Sequence, residues 1–145
     1  MPATPLRAVE EIIGGFFTMV HRFRNEIEAL GLEFNGRYVH CDVNIGAAND
    51  QKYPDISHQE QGYKAAHKVF GGKSRKPDGI VILDDLMTRG ALVALRNKGV
   101  QPGKDVQIAT HCNRGSEVLL GHEKEVIRLE FNPVDVARAM FETLS

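Results

Sequence analysis

The chain has 145 residues, which is enough for one domain with a hydrophobic core and too few for two substantial ones. Its 18 Lys and Arg residues nearly balance its 19 Asp and Glu residues, giving a formal net charge of −1. This balance argues against DNA binding by the chain itself, because DNA-binding domains usually carry a basic excess. No apolar run approaches the roughly 20 residues of a membrane helix, and "MPATPLRAVEE" does not resemble a signal peptide. We therefore expect no membrane partner.

The two cysteines, Cys41 and Cys112, are too few for a disulfide framework and favour a cytoplasmic location. Each follows a histidine, so two His-Cys pairs could in principle supply four zinc ligands. Adjacent strand residues point to opposite faces, however, and no C-x-x-C spacing accompanies them. We predict no metal site and no cofactor, and we interpret both thiols as free and buried.

The first third of the chain predicts a helix, a strand and a long loop. Apolar residues recur every three or four positions over Leu6–Leu30, which is typical of a helix, and Gly31 is a suitable end for it. Its apolar side either packs onto the domain's own sheet, the commoner case, or pairs two copies. Arg37–Val43 is rich in β-branched and aromatic residues and predicts a strand. The polar stretch Asn44–Ile56 is long for a connection and predicts a functional or mobile loop.

A second helix is predicted to begin at the capping box "SHQE", in which Ser57 is the N-cap and Glu60 follows three residues later. Its predicted buried side consists of Gly62, Ala66, Val69 and Phe70. The basic, glycine-rich segment "GGKSRKPDG" follows this helix and precedes a strand. A phosphate-binding loop needs the opposite order, so we predict a solvated connection.

The apolar run Gly79–Leu83 predicts an interior parallel strand that is covered on both faces. It ends on Asp84 and Asp85, and a helix follows at once and ends at Gly99. The side of that helix expected to pack on the sheet consists of Met87, Gly90, Ala91, Ala94 and Leu95.

The last part of the chain predicts two strands and a helix. "VQIAT" is the first strand, and the residues from His111 to Glu125 are expected to form a loop. "VIRLEF" is the second strand. A final helix begins at Pro133, a favoured first helical residue, with Asn132 as its N-cap.

This order of elements predicts an α/β fold, with a mainly parallel sheet and helices on both faces, as one domain over residues 1–145. Ligands of open α/β sheets bind in the crevice at the carboxyl ends of the strands. The residues predicted to lie there are Cys41-Asp42, Asp84-Asp85 and His111 to Asn113.

The stretch "KPDGIVILDDLMTRGALVALRNKGVQPGKDVQIATH" resembles the effector-binding domain of the lactose-repressor and galactose-repressor family of bacterial transcription regulators. That family shares the fold of the periplasmic sugar-binding proteins. Its pattern is matched, at the same spacing, by Pro77, Asp78, Gly79, Ile80, Asp84, Asp85, Met87, Gly90, Ala91, Ala94, Leu95, Gly99, Val100, Asp105, Val106 and Ile108. The similarity covers about Val20 to Leu144 and is most specific in the middle.

The resemblance implies an effector-sensing domain without enzymatic activity, which binds a small, sugar-like molecule and forms a homodimer. The chain corresponds mainly to the family's second subdomain, so we expect a fragment of a longer regulator. DNA would then be bound only through a helix-turn-helix domain that is absent from this chain. The family's effector-contacting aspartate is replaced by Cys112, followed by Asn113, and its effector-binding arginine by Met19. The family's way of holding a hexose therefore cannot be carried over.

The effector-binding candidates are Asp84, Asp85, His111, Cys112 and Asn113. The two aspartates have two interpretations. In the first, one of them caps the following helix and has no other role. In the second, Asp84 also accepts hydrogen bonds from an effector. His111 and Cys112 either face the same crevice or are a buried neutral histidine and an inert thiol.

Catalysis by these groups is disfavoured, because adjacent residues do not share a face and no Gly-x-Ser-x-Gly or phosphate loop is present. A sugar-binding transport receptor and a receiver-like signalling domain are the alternative functions. The sensor hypothesis sets two geometric conditions. The chain tips after Leu83 and Thr110 must border one hollow, and Ile80 to Leu83 must be an inner strand.

Overall fold

The computed structural model describes residues 20–39 and 57–144. The chain divides into two compact units, Met1–Tyr53 and Pro54–Ser145. None of the helices in the described ranges is both long and apolar enough to span a bilayer. The prediction of one domain over the whole chain stays a prediction.

In the first unit, residues 20–29 form helix α1. Its end has the hydrogen bonds of a Schellman motif: the Leu32 amide donates to the Ile27 carbonyl (3.1 Å), and the Gly31 amide donates to that of Glu28 (3.0 Å). Gly31 has a φ of 71°, which a residue with a side chain rarely adopts. The predicted helix end at this glycine is confirmed, and the earlier part of the predicted helix lies outside the described residues.

The strand predicted over Arg37–Val43 is wrong at its start, where Gly36–Tyr38 form a 3-10 turn. The side chain of Asn35 accepts a hydrogen bond from the Arg37 amide at 3.0 Å. This local bond favours a turn over an extended strand. The residues from position 40 onward, and the predicted loop Asn44–Ile56, lie outside the described residues.

The second unit alternates helices and strands, and its three strands form one parallel sheet in the order β1-β2-β3. This confirms the predicted α/β class, with a parallel sheet flanked by helices. Because all three strands run the same way, their carboxyl ends lie at one edge. The elements are α2 (His58–Gly71), β1 (Gly79–Ile82), α3 (Asp85–Asn97), β2 (Gln107–Asn113), β3 (Ile127–Phe131) and α4 (Pro133–Leu144).

Two of the helix starts follow their predicted caps. The Ser57 hydroxyl accepts from the Glu60 amide at 3.2 Å at the start of α2. The Asn132 side chain accepts from the Val134 amide at 3.1 Å at the start of α4. Each cap satisfies one amide that the first helical turn leaves without a backbone partner.

The core lies between the sheet and α3. Ile108, Thr110 and Cys112 of β2 are buried and alternate with more exposed residues. From α3, Leu92 and Leu95 are fully buried and belong to the same cluster as Ile108. The main cluster consists of Phe70, Leu92, Leu95, Val106, Ile108, Leu119 and Val126. The predicted buried side of α3 is confirmed for Gly90, Ala91, Ala94 and Leu95, but it omitted Leu92 and Thr88.

Helices α2 and α3 pack with their backbones in direct contact, and two buried glycines make this possible. A Cβ atom on Gly62 would lie 1.9 Å from the Met87 carbonyl oxygen, and one on Gly90 would lie 1.8 Å from the Gln59 carbonyl oxygen. Neither position has room for any side chain. The glycine of α3 was predicted to allow close packing on the sheet, whereas its role is to admit α2.

The far end of α3 is linked to the loop before β3 by charged side chains. The Arg96 Nη2 atom donates to Glu125 Oε1 at 2.7 Å, and His122 Nδ1 lies 2.6 Å from Glu125 Oε2. The hydrogen bond from the Arg96 guanidinium holds the pKa of the Glu125 carboxyl below its usual range, and His122 adds to this effect. The carboxylate is therefore stabilised in its charged form.

Two strand predictions need correction. Within the described residues β1 is an edge strand that pairs with β2 alone, and Val81 is 46% exposed, so it is not covered on both faces. Strand β2 also runs on to Asn113, past the predicted start of the loop. The reason is that β3 pairs with this extension, with His111 opposite Leu129.

Candidate functional site

Asp84 caps helix α3, as one of its two interpretations predicted. Its Oδ1 atom accepts from the Met87 amide at 2.8 Å. Its backbone carbonyl accepts from both the amide (3.0 Å) and the hydroxyl (2.8 Å) of Thr88. The Thr88 hydroxyl also lies 2.8 Å from that of Thr110 on β2, and both threonines are buried. The helix start is thus fixed on the sheet by a chain of hydrogen bonds.

The second carboxylate oxygen of Asp84 lies 3.0 Å from Nδ1 of His58, the first residue of α2. The histidine side chain is 60% exposed and the aspartate side chain 30% exposed. His58 was not among the predicted site residues. A sequence signal did exist, because helices that alternate with parallel strands begin at the edge where those strands end.

Asp85 is the first residue of α3, and its Oδ2 atom accepts from the Ser116 hydroxyl at 2.8 Å in partly buried surroundings. The Ser116 amide donates to the Asn113 carbonyl at 3.0 Å. The loop after β2 therefore brings Ser116 to Asp85 and ties it to the end of the strand. Ser116 was also not predicted, and contacts between residues 31 positions apart leave no local sequence signal.

Two interpretations of His111 and Cys112 were left open, a shared crevice or a buried histidine with an inert thiol, and the structure places the two side chains on opposite faces of β2. Adjacent residues on a strand point to opposite faces, and β2 buries Cys112 on the α3 side of the sheet. His111 lies on the other face and stacks on the Phe131 ring, with centroids 4.3 Å apart and planes 14° apart. Asn113 is exposed at the end of the strand.

Cys112 is a free, buried thiol, as predicted for this residue. Burial raises its pKa, and the neighbouring charges of Glu130 and Asp85 raise it further. A thiol with a raised pKa stays protonated near neutral pH and is a poor nucleophile. The interpretation of Cys112 as inert is therefore the one that fits its surroundings.

Over residues 20–39 and 57–144, no three His, Cys, Asp or Glu side chains lie close enough together to hold a metal ion. Cys41 and Asp42 lie outside those ranges. The predicted absence of a metal site and of a cofactor stays a prediction.

The groups that do meet at the carboxyl edge are Asp84, Asp85, His58, Ser116 and Asn113. They offer carboxylate oxygens, an imidazole and a hydroxyl, which together can both donate hydrogen bonds to a polar ligand and accept them from it. Asn113 takes part through its backbone carbonyl, which accepts from the Ser116 amide.

Strands β1 and β2 end at the same edge of the sheet, although β2 ends at Asn113 and not at Thr110. That the two tips border one hollow stays a prediction. Within the described residues β1 is not an inner strand, and most of the strand predicted over Arg37–Val43 lies outside them.

A separate open groove of about 260 Å³ lies against α2 and α3. None of the five predicted site residues lines it. Its lining consists of Ser57, Gln59, Glu60, Tyr63, Gly90 and Val93.

Comparisons with protein-family models, with curated proteins and with solved structures gave no match.

Proposed function

We propose that this chain is the effector-sensing module of a transcription regulator of the lactose-repressor and galactose-repressor type. In this proposal a small, hydroxyl-rich molecule of the sugar class binds at the carboxyl edge of the sheet. The chain acts by binding and carries out no chemistry of its own. It works in the cytoplasm as a homodimer, and DNA is bound by a separate domain outside this chain.

The observation that carries the proposal is the meeting of Asp85, Ser116 and Asn113 where the parallel strands end. Crevices at this edge are where open α/β sheets bind their ligands. Hydroxyl groups both donate and accept hydrogen bonds, so a site for them needs carboxylate and amide oxygens as well as donors. The sequence resemblance over Lys76 to His111 points to the same class of ligand.

The five predicted contacts divide into two groups in the proposed site. Asp85 is proposed to contact the effector together with Ser116, which the Asn113 carbonyl holds in place. Asp84 is proposed to hold His58 beside the effector as well as capping the helix. His111 and Cys112 are not proposed as contacts, because one lies on the opposite face and the other is buried beneath the edge.

Regulation would follow from unequal affinity of the effector for two arrangements of the regulator. A ligand shifts an equilibrium only by its difference in binding free energy between the two states. Bound at the N-terminus of α3, an effector could bias how that helix and its neighbours meet the rest of the regulator. The DNA-binding domain would then respond without contacting the ligand.

Binding can be tested by calorimetry and thermal unfolding against hexoses, pentoses, nucleosides and sugar acids. We expect one class to bind, and we expect Asp85→Asn to weaken it about tenfold or more, the loss typical of a charged hydrogen-bond partner. Asp78→Asn is the matched control. Asp78 directly precedes β1, so it lies at the amino end of that strand, whereas Asp85 lies beyond its carboxyl end. Equal losses in both variants, or no binding by any member of the panel, would contradict the proposal.

A further inference from the structure

The loop between β2 and β3 contains a short segment with a left-handed glycine at each end. Gly115 has a φ of 81° and Gly121 has a φ of 84°. A Cβ atom on either glycine would meet no atom of the described residues within 4 Å. These positions therefore require glycine for their backbone conformation and not for space. We call the stretch from Gly115 to Gly121 the lid segment.

A polar contact and an apolar contact hold the lid segment on the rest of the second unit. The Ser116 hydroxyl donates to Asp85 Oδ2 at 2.8 Å, at the start of α3. The Leu119 side chain is 2% exposed and belongs to the main core cluster. The polar contact lies at the proposed effector site, whereas the apolar contact lies in the core.

The residues on either side of the lid segment are attached at further points. Before it, the Arg114 amide donates to the Phe131 carbonyl at 2.8 Å, which extends the pairing of β2 with β3. After it, Glu125 accepts from Arg96 of α3 and lies 2.6 Å from His122 Nδ1. Because the chain is attached on both sides, the part between the two glycines can move while the sheet and α3 stay in place.

Moving the lid segment away breaks far fewer interactions than unfolding the chain. The main losses are one hydrogen bond to a carboxylate and the burial of one leucine, which together correspond to an open fraction of about 10⁻² to 10⁻⁴. Complete unfolding of a domain corresponds to a fraction of about 10⁻⁴ to 10⁻¹¹. The lid segment should therefore open many times for each unfolding of the whole chain.

We infer that the lid segment is a gate at the N-terminus of α3. It opens when the bond between Ser116 and Asp85 breaks and Leu119 leaves the core, while the helices and the sheet stay folded.

The role of this gate in binding rests on the proposed function. An effector hydroxyl between the two side chains would donate to Asp85 and accept from Ser116. Two such bonds in series span roughly 4.5 Å, so Ser116 has to move by about 1.7 Å from its present distance of 2.8 Å. The gate thus opens to admit the effector and closes on it.

Native-state hydrogen exchange of the ¹⁵N-labelled full chain, in urea below the unfolding transition, tests the opening. The lid amides are those of Leu120 and His122, which donate at 3.0 Å to the carbonyls of Glu117 and Leu119. Relative to intrinsic rates, we expect them to exchange at least tenfold faster than the Leu95 amide of α3. Their exchange should depend little on urea, because a local opening exposes little surface. Equal opening constants and equal urea slopes for all three amides would overturn the inference.

Three variants connect this exchange to the contact at Asp85. Ser116→Ala should speed exchange at the lid amides about tenfold or more, since it removes a hydrogen bond to a charged acceptor. Ser74→Ala is the matched control, because Ser74 is exposed between α2 and β1, and it should leave that exchange unchanged. Gly90→Ala disturbs the contact of α2 with α3 and should speed exchange at Leu95 alone. Lid amides that ignore Ser116→Ala, or that follow Gly90→Ala, would overturn the inference.

The role in binding has a separate readout. For a hexose, pentose, nucleoside or sugar acid that binds in calorimetry, we expect exchange at the lid amides to slow at saturation, because the gate closes on the bound compound. Binding that leaves this exchange unchanged would overturn the role in binding. A failure of every compound to bind would refute the proposed function, and this role with it, while the local opening would stand on its own measurement.

Discussion

The two faces of the three-stranded sheet differ in solvent exposure, and the residue pattern of the strands predicts only part of this difference. On one face, β2 buries Ile108, Thr110 and Cys112 beneath α3. On the other, Ile127 and Leu129 are as apolar and remain largely exposed. The difference lies in what covers each face and not in the residues themselves. Apolar alternation therefore identifies a surface that is suited to burial, and the covering layer has to be identified separately.

The largest effect should be the difference in stability lost when each of two isoleucines of the same sheet is replaced by alanine. We expect Ile108→Ala to lower the free energy of unfolding by about 3 kcal/mol, since it removes a fully buried side chain and leaves a cavity. Ile127→Ala should cost under about 1 kcal/mol in dilute solution, because the side chain is already in contact with water. Chemical denaturation of both variants measures the difference.

The next effect tests how α2 and α3 lie together on the covered side. Gly90→Ala should destabilise the chain by about 2–3 kcal/mol, because its Cβ would collide with the Gln59 carbonyl oxygen. Alanine's better helix propensity, about 1 kcal/mol, would offset only part of this. Gly71→Ala is the matched control: its Cβ would meet the mobile end of Lys98 at 3.3 Å, so little change is expected. Similar melting temperatures for the two variants would show that the helices do not pack backbone to backbone.

A smaller effect should come from the cap of α3. Asp84→Ala should cost about 1.5 kcal/mol, because the Met87 amide loses its acceptor. Asp84→Asn retains an oxygen in the same place and should cost only about a few tenths of a kcal/mol. Thermal unfolding of the two variants distinguishes the cap from the charge. Equal losses of stability in the two variants would mean that Asp84 stabilises the chain through its contact with His58 and not through the cap.

The smallest effect concerns the ion pair at the far end of α3. Arg96→Met should cost under about 1 kcal/mol at pH 7, since both side chains are partly exposed. The pKa of Glu125 is lowered in the folded chain, so its contribution is present above the carboxyl's unfolded pKa and is lost as the pH falls through the folded one. The difference between the parent and Arg96→Met should therefore shrink below about pH 4.3. A difference as large at pH 3 as at pH 7 would contradict this origin.

Local rules account for the parts of the fold that sequence predicted correctly. Ser57, Asp84 and Asn132 cap helices because each needs only an amide two or three residues ahead. The glycine at position 99 ends α3 in the same way that position 31 ends α1, with a φ of 72° and a bond from the next amide back to the Leu95 carbonyl.

The misses arise where distant residues decide the outcome. The segment from His111 to Asn113 is a strand because β3 pairs with it, and the polar residues of this segment do not show that pairing. His58 and Ser116 reach Asp84 and Asp85 from 26 and 31 positions away. Of the five groups at the carboxyl edge, sequence therefore predicted three and missed His58 and Ser116, while two of its candidates, His111 and Cys112, lie on other surfaces. That this edge binds an effector stays a prediction.

Amide chemical-shift mapping of the ¹⁵N-labelled chain, titrated with a panel of hexoses, pentoses, nucleosides and sugar acids, tests the proposed function most directly. We expect saturable shifts at the amides of Asp85, Asn113 and Ser116, with the exposed side of β3 at Ile127 and Leu129 and the groove beside Tyr63 unaffected. Shifts centred on either of those other surfaces, or none with any compound, would contradict it.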